Sequence, residues 1–324
     1  MGGYILRRLF QSLIVVLLVT IMVFLLVRLL PGDPILIYVS RDQLSGAVAQ
    51  ETIDALRQEY GLDRPVPVQY VIWIWKVLHL DLGNSIFLND TVANELARAV
   101  PKTLLIGSLG LLLAIVMSIP AGVLAAIRRG TWIDTGVTLF ANIGVTIPVF
   151  WLGIMLIEIF SLWLGLLPVQ GYTSPLKDFG EGVSKIVMPV LCLAVFPLCA
   201  LTRQVRSGML ETIRQDYIRT AWSKGLSEAT IIRRHGLKNS FLPVVTVVGM
   251  MARVTIGGQV LIETVFNIPG MGRLAVEALQ NQDYPVLQGV VLTTAVLVSA
   301  INLIVDLSYG WLDPRIRLGQ ELKQ

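Results

Sequence analysis

Residues Asp216–Leu242 read DYIRTAWSKGLSEATIIRRHGLKNSFL. They are polar and basic, and they lie between two apolar runs, Ile186–Leu201 and Leu242–Val265. Their pattern is helix, turn, helix. Gly225 has no Cβ to oppose the left-handed backbone that ends a helix. Ser227 offers a hydroxyl at the start of the next helix, and Glu228 is favourable at its positive end. Gly236 is placed to end that helix in turn. A polar helical hairpin joining two membrane spans is a knob for a groove on another protein. Two blander readings compete: a DNA-reading helix-turn-helix, which would be pinned between spans, and a solvated loop that only carries charge.

Outward from the hairpin, the chain is too apolar for water. Hydrophobic residues make up 54% of the 324 residues and charged residues 15%, with a mean hydropathy of +0.71. A soluble domain carries about 25% charged residues to solvate its surface. A span needs about 20 apolar residues. Besides the two runs flanking the hairpin, spans are expected at Leu9–Leu30, Thr103–Ile127, Thr135–Leu167 and Pro285–Leu307. The run at Leu9 exceeds the ~7–15 residues of a signal-peptide core, so it reads as a retained helix. Thr135–Leu167 is long enough to tilt or to include part of a loop. Pro120, Pro148 and Pro197 lie inside spans and favour kinks. Gly107, Gly110, Ala121, Gly122, Gly249, Gly257 and Gly258 suit close helix packing. The fold class is therefore all-α, a polytopic membrane protein of about six transmembrane helices.

Basic residues orient it. Arg7 and Arg8 precede the first span, and Arg128 and Arg129 follow the second. Arg203, Arg206, Arg214, Arg219, Lys224, Arg233, Arg234 and Lys238 crowd the hairpin, and Arg315, Arg317 and Lys323 lie in the tail. With six spans all four groups share one side, the cytoplasm, so both termini are expected there. Residues 31–100 face the other way, with nine acidic groups against five basic ones. Tyr70, Trp73 and Trp75 suit a membrane interface. The organisation expected is a first helix at 1–30, a small extracytoplasmic subdomain at 31–100, a five-helix core at 101–310 holding a cytoplasmic loop at 203–240, and a tail at 311–324. The pI near 9.1 reflects loops beside an anionic leaflet and makes no case for nucleic acid.

The hairpin resembles the coupling loop of ATP-binding-cassette importer permeases, whose motif opens Glu-Ala-Ala. Arg219, Thr220 and Ala221 stand at its first three positions, and Gly225 holds the glycine four residues after Ala221. The motif's Glu and its later Pro are missing here. DYIRTAWSKGL and the following His235-Gly236-Leu237-Lys238-Asn239 resemble instead the dipeptide, oligopeptide and nickel branch. So do ILRRL with FLLVRLLPGDP near the start, Tyr60-Gly61-Leu62-Asp63 with Pro65, Asp81-Leu82-Gly83-Asn84-Ser85, Glu263-Thr264-Val265-Phe266, Pro269-Gly270-Met271-Gly272, Asp283-Tyr284-Pro285 and Asp313-Pro314-Arg315. These landmarks run in order along nearly the whole chain.

The resemblance implies a type I importer permease fold in a bacterial inner membrane. It also implies a second homologous permease subunit, two cytoplasmic ATPase subunits and an extracytoplasmic substrate-binding protein. Asp216, Tyr217, Arg219, Thr220, Ala221, Lys224, Gly225, Leu226, His235 and Asn239 would then couple to an ATPase. Pro269, Gly270, Gly272, Asp283 and Tyr284 would border the outer mouth, with a short helix over Arg273–Asn281. The leading function is uptake of short peptides, with nickel chelates, glutathione or sugars as alternatives.

The residues give no catalytic reading. A phosphate-binding loop needs Gly-Lys-Ser/Thr, and the chain has no Gly-Lys dipeptide. ATP and magnesium are expected on the partner subunits, with no cofactor here. His79 and His235 lack ligands at metal spacing, and Cys192 and Cys199 read as small buried hydrophobes. Charges inside spans are costly and by default functional. Arg253, mid-span, and Glu158 are therefore pathway candidates, Arg253 having Glu158 or a partner's carboxylate as an alternative ion-pair partner. Glu263 is a third candidate, and for it and Asp306 the blander reading is interfacial anchoring. A secondary transporter would need its own ion relay and an inverted repeat, and none is visible. A channel or scaffold subunit is a further class.

Overall fold

The computed structural model describes residues 2–29, 35, 50–59, 61–257 and 259–312. Pro31-Gly32-Asp33-Pro34, Tyr60, Gly258 and the Asp313-Pro314-Arg315 tail lie outside them. In chain order the helices are α1 (Gly2–Arg28), α2 (Gln50–Glu59), α3 (Val66–Leu78), α4 (Val92–Ile127), α5 (Trp132–Thr146) and α6 (Val149–Leu156), which continues as a π-helical segment over Ile157–Trp163. Then come α7 (Phe179–Ile213), α8 (Asp216–Ser223), the short α9 (Glu228–Thr230) running into a second π-helical segment, Ile231–Leu237, and α10 (Lys238–Gly257). Last are α11 (Val260–Val265), α12 (Met271–Asn281) and α13 (Tyr284–Leu312).

Among the described residues four helices are long and apolar enough to cross a membrane: α1, α4, α7 and α13. The expected third span is broken. α5 and α6 meet at 104°, with Ile147 extended at φ −68°, ψ 125° and Pro148 opening α6. The proline ring crowds the residue before it out of the helical region, and its missing N–H removes a ladder bond. The expected fifth span falls on α10, Lys238–Gly257, whose described apolar stretch is Val244–Thr255, and the separate short α11 follows it. The fourth is longer than its apolar run, because α7 continues through the polar 202–213 and shortens the loop expected at 203–240.

Two compact units form. One comprises Leu104–Ile268 with residues 300 onward. Its helices touch through small residues. A Cβ on Gly122 would stand 2.8 Å from the Thr202 carbonyl oxygen, and one on Gly249 would clash with Val305. Without a hydrophobic drive between helices in lipid, such close approach is what dispersion attraction requires. Asp134 on α5 takes both forks of Arg206 on α7, at 2.6 and 2.9 Å, and accepts the Gly130 N–H as well.

The other unit comprises Gly2–Thr103 with Pro269–Ser299. Val92, Leu96 and Ala99 recur at helical spacing on α4 and pack with Met271, Leu274 and Ala278 of α12 and Val286 and Val290 of α13. Asp90 accepts hydrogen bonds from Asn94 and the Thr91 N–H at the head of α4. Asn94 above all holds the Asp90 carboxyl below its ordinary range. α3 lies against α1 through Phe24, edge-on to Tyr70 at 5.3 Å and tilted against Trp73 at 5.8 Å. Of the three aromatics expected at an interface, Tyr70 and Trp73 turn inward and Trp75 is exposed.

Candidate functional site

The hairpin between α7 and α10 has a core of its own. Ile218 and Ala221 on α8 and Ile231 beyond the turn are buried against one another. Gly225 makes the turn at φ +76°, with its N–H donating to the Trp222 carbonyl and the Leu226 N–H to that of Ala221. Two expectations are corrected. Ser227 sits at the N-cap, but its hydroxyl pairs with that of Thr230 at 2.8 Å and bonds no backbone N–H. Gly236 does not end the second helix. It is buried inside the π-helical segment, where a Cβ would press on Met209 at 3.1 Å, and the chain stays helical into α10.

The outward face carries what the core does not use. Asp216, Tyr217, Arg219, Thr220, Lys224 and Leu226 are exposed, and His235 is half-buried. Arg219 reaches Asp216 at 3.5 Å, a contact that is weak at such exposure. Asn239 lies in the first turn of α10. Ala221, expected to contact a partner, is turned inward. Trp222, 48% exposed beside Tyr217 and Leu226, was not among the residues singled out from sequence. An exposed indole at a hairpin tip is the signal that marks it. Tyr217, Trp222 and Leu226 thus form an aromatic and aliphatic tip on a hairpin rimmed by Arg219 and Lys224.

Arg253 on α10 is exposed; its Nε donates to the Gly249 carbonyl at 3.2 Å and its Nη1 to Asn302 Oδ1 on α13 at 3.0 Å. Glu158 forms no ion pair with it; it is half-buried on the π-helical segment after α6. The anchoring reading of Glu263 is corrected. It is 1% exposed, because α11 folds inward where its neighbours Ile262 and Phe266 join a core with Ile106, Ile186 and Met188.

The outer-mouth candidates fall in the second unit. Pro269 is exposed and Gly270 is the N-cap of α12, which begins at Met271, two residues before the expected start. The Met271 N–H donates to Thr103 Oγ1 at 2.8 Å, and Gly272 is buried. Asp283 is buried beside Tyr284 and accepts from the Ser85 hydroxyl and the Val286 N–H. The geometry makes Asp283 the cap of α13.

Residues 118–318 match the family described as binding-protein-dependent transport system inner membrane component, and residues 1–106 match its N-terminal counterpart. A protein of Brucella abortus (strain 2308) named as a peptide transport system permease is 42% identical over 318 residues, covering 98% of this chain and 99% of that one. The oligopeptide transport system permease protein AppB of Bacillus subtilis (strain 168) is 38% identical over 319 residues, covering 98% and 99%. An inward-facing structure of the MetNI methionine ABC transporter superposes with a TM-score of 0.54 at 19% identity, over 67% of this chain and 96% of that one. That likeness concerns the fold.

Proposed function

The chain belongs to the family of binding-protein-dependent transport system inner membrane components, the permeases of ATP-binding-cassette importers, and on that premise we propose that it forms half of a pathway importing short peptides. The cargo reading rests on relatives named as peptide and oligopeptide permeases along almost the full length of the chain. The coupling reading rests on one observation: the hairpin buries its own core and leaves Tyr217, Trp222 and Leu226 exposed. A large aromatic anchor on a compact, independently packed tip is what a groove on an ATPase subunit would receive. Two such subunits hydrolyse ATP with magnesium, this chain contributing no cofactor site or catalysis. A second permease completes the pathway and an external binding protein delivers cargo. Both termini and the hairpin lie in the cytoplasm.

Arg253 belongs to the same proposal. Held by Asn302 and a backbone carbonyl, with no carboxylate against it among the described residues, the guanidinium keeps donors for a passing peptide carboxylate. The test is ATPase activity of the reconstituted complex with its binding protein, challenged with free peptides, amidated peptides, glutathione and a nickel chelate. Stimulation by peptides is the expected result. Stimulation by the chelate or glutathione alone would overturn the cargo, and uptake driven by an ion gradient without ATP would overturn the machine.

A further inference from the structure

In the unit formed by Gly2–Thr103 and Pro269–Ser299, a cavity of about 410 Å³ lies where α1 ends. Among the described residues three cations line it, Arg28, Arg64 and Lys76, against a single carboxylate, Asp81, which already accepts the Gly83 N–H. The Arg28 guanidinium lies over the rings of Phe24 at 5.0 Å and Tyr284 at 5.3 Å. Its Nε and Nη1 are buried with no hydrogen-bond partner among the described residues, and so is Nε2 of Gln288 in the same wall. Buried donors are ordinarily satisfied. Among the described residues, three unmet N–H-bearing atoms against one unmet acceptor, Gln69 Oε1, line this net-positive cavity, and the excess of donors calls for an acceptor-rich anion.

The surroundings indicate its source. α1 exposes Leu18, Met22, Leu25 and Leu29, a face for lipid, and Arg28 closes its apolar span. α3 is thirteen residues long, too short to cross a bilayer. It exposes Val68, Val71, Trp75 and Leu78, one stripe at helical spacing, as an interfacial helix does. Between α1 and α3 lies a second cavity of about 250 Å³ with a wholly apolar lining that includes Ile21, Leu25, Val66 and Tyr70. Phe24 borders both cavities. A basic chamber at the end of a span, joined through one phenylalanine to a greasy groove, matches a molecule with a phosphate head and an acyl tail. We propose that this site holds one anionic phospholipid, its phosphate on Arg28 with Lys76 and Arg64 at the rim and one chain in the groove beside Phe24.

The test is native mass spectrometry of the assembled transporter with phosphatidylglycerol, phosphatidylcholine or inorganic phosphate, alongside thermal stability in nanodiscs of each lipid. We expect one retained phosphatidylglycerol in preference to phosphatidylcholine. Arg28→Gln should weaken it, and so should the exposed pair Arg64→Gln/Lys76→Gln, by about fivefold for each charge removed. The surface pair leaves the packed rings alone, so it decides the matter even where Arg28→Gln assembles poorly. Equal retention of the two lipids, stabilisation by free phosphate matching that by phosphatidylglycerol, or undiminished retention in the surface pair would overturn the proposal. None of these readings depends on what the transporter imports.

Discussion

Ser85 donates its hydroxyl to the carboxylate of Asp283 at 2.5 Å, across 198 residues of chain. The same hydroxyl oxygen accepts the Leu88 N–H at 2.7 Å, while Asp283 also accepts from the Phe87 and Val286 N–H groups. The contact ties the turn ahead of α4 to the cap of α13, so two stretches quoted from the sequence for their resemblance alone form one buried polar joint. Asp283→Ala takes the charged acceptor from the Ser85 hydroxyl and the Val286 N–H, while the Phe87 N–H keeps Ser85 Oγ at 3.1 Å, and should cost about 3 kcal/mol, hydrogen bonds to a charged group being the stronger kind. Asp283→Asn, which keeps an acceptor, should cost about half of that. Denaturation of the solubilised transporter measures both, and a wild-type midpoint for Asp283→Ala would refute the role.

Asp134 and Arg206 form a two-pronged pair joining α5 to α7. Removing one member strands the other charge, so Asp134→Ala should lose about 3 kcal/mol, less any relief from the partial exposure of Arg206. Asp134→Leu/Arg206→Leu should be milder than the single change. A double-mutant cycle with no coupling between the two positions would rule the pair out as a fastening.

At the hairpin, Ala221→Glu and Trp222→Ser should part company. The first drives a carboxylate into the Ile218–Ile231 contact and should unfold the hairpin. The second leaves that core intact and should still lose ATPase co-purification by about tenfold or more, the cost of removing an interface anchor. Gly225→Val forces a β-branched residue to φ +76°, a genuine outlier conformation, and should behave like Ala221→Glu. Normal ATPase recovery with Trp222→Ser would leave the tip without a partner.

Arg253→Met keeps length and removes charge. Transport should fall with assembly intact, and discrimination between free and amidated peptide C-termini should shrink. Asn302→Ala, which frees the guanidinium from its tether, should alter cargo preference without abolishing transport. An Arg253→Met transporter moving every cargo at the normal rate would remove the residue from the pathway.

Topology is open to cysteine labelling in a background with Cys192 and Cys199 replaced. Asp54→Cys on the exposed face of α2 should react with an impermeant maleimide from outside, and Glu228→Cys should react only after permeabilisation. The opposite pattern would invert the proposed orientation.

Hydropathy and local chemistry determined a good deal here. Apolar runs placed the long spans because lipid demands self-satisfied helices, and a glycine between two helical patterns placed the hairpin turn because only it takes that backbone cheaply. Pro148 marked a break, though its 104° angle depends on what α5 and α6 pack against. Tertiary structure decided which polar groups turn inward. Arg206 counted in the sequence as one more cytoplasmic charge, and Asp134 drew no notice; each is explained only by the other, 72 residues away. Ala221 looked like contact surface until Ile231 closed over it, which left Trp222 as the exposed aromatic. A buried polar or small side chain is paid for by a neighbour that the fold supplies, and sequence order carries no record of that neighbour.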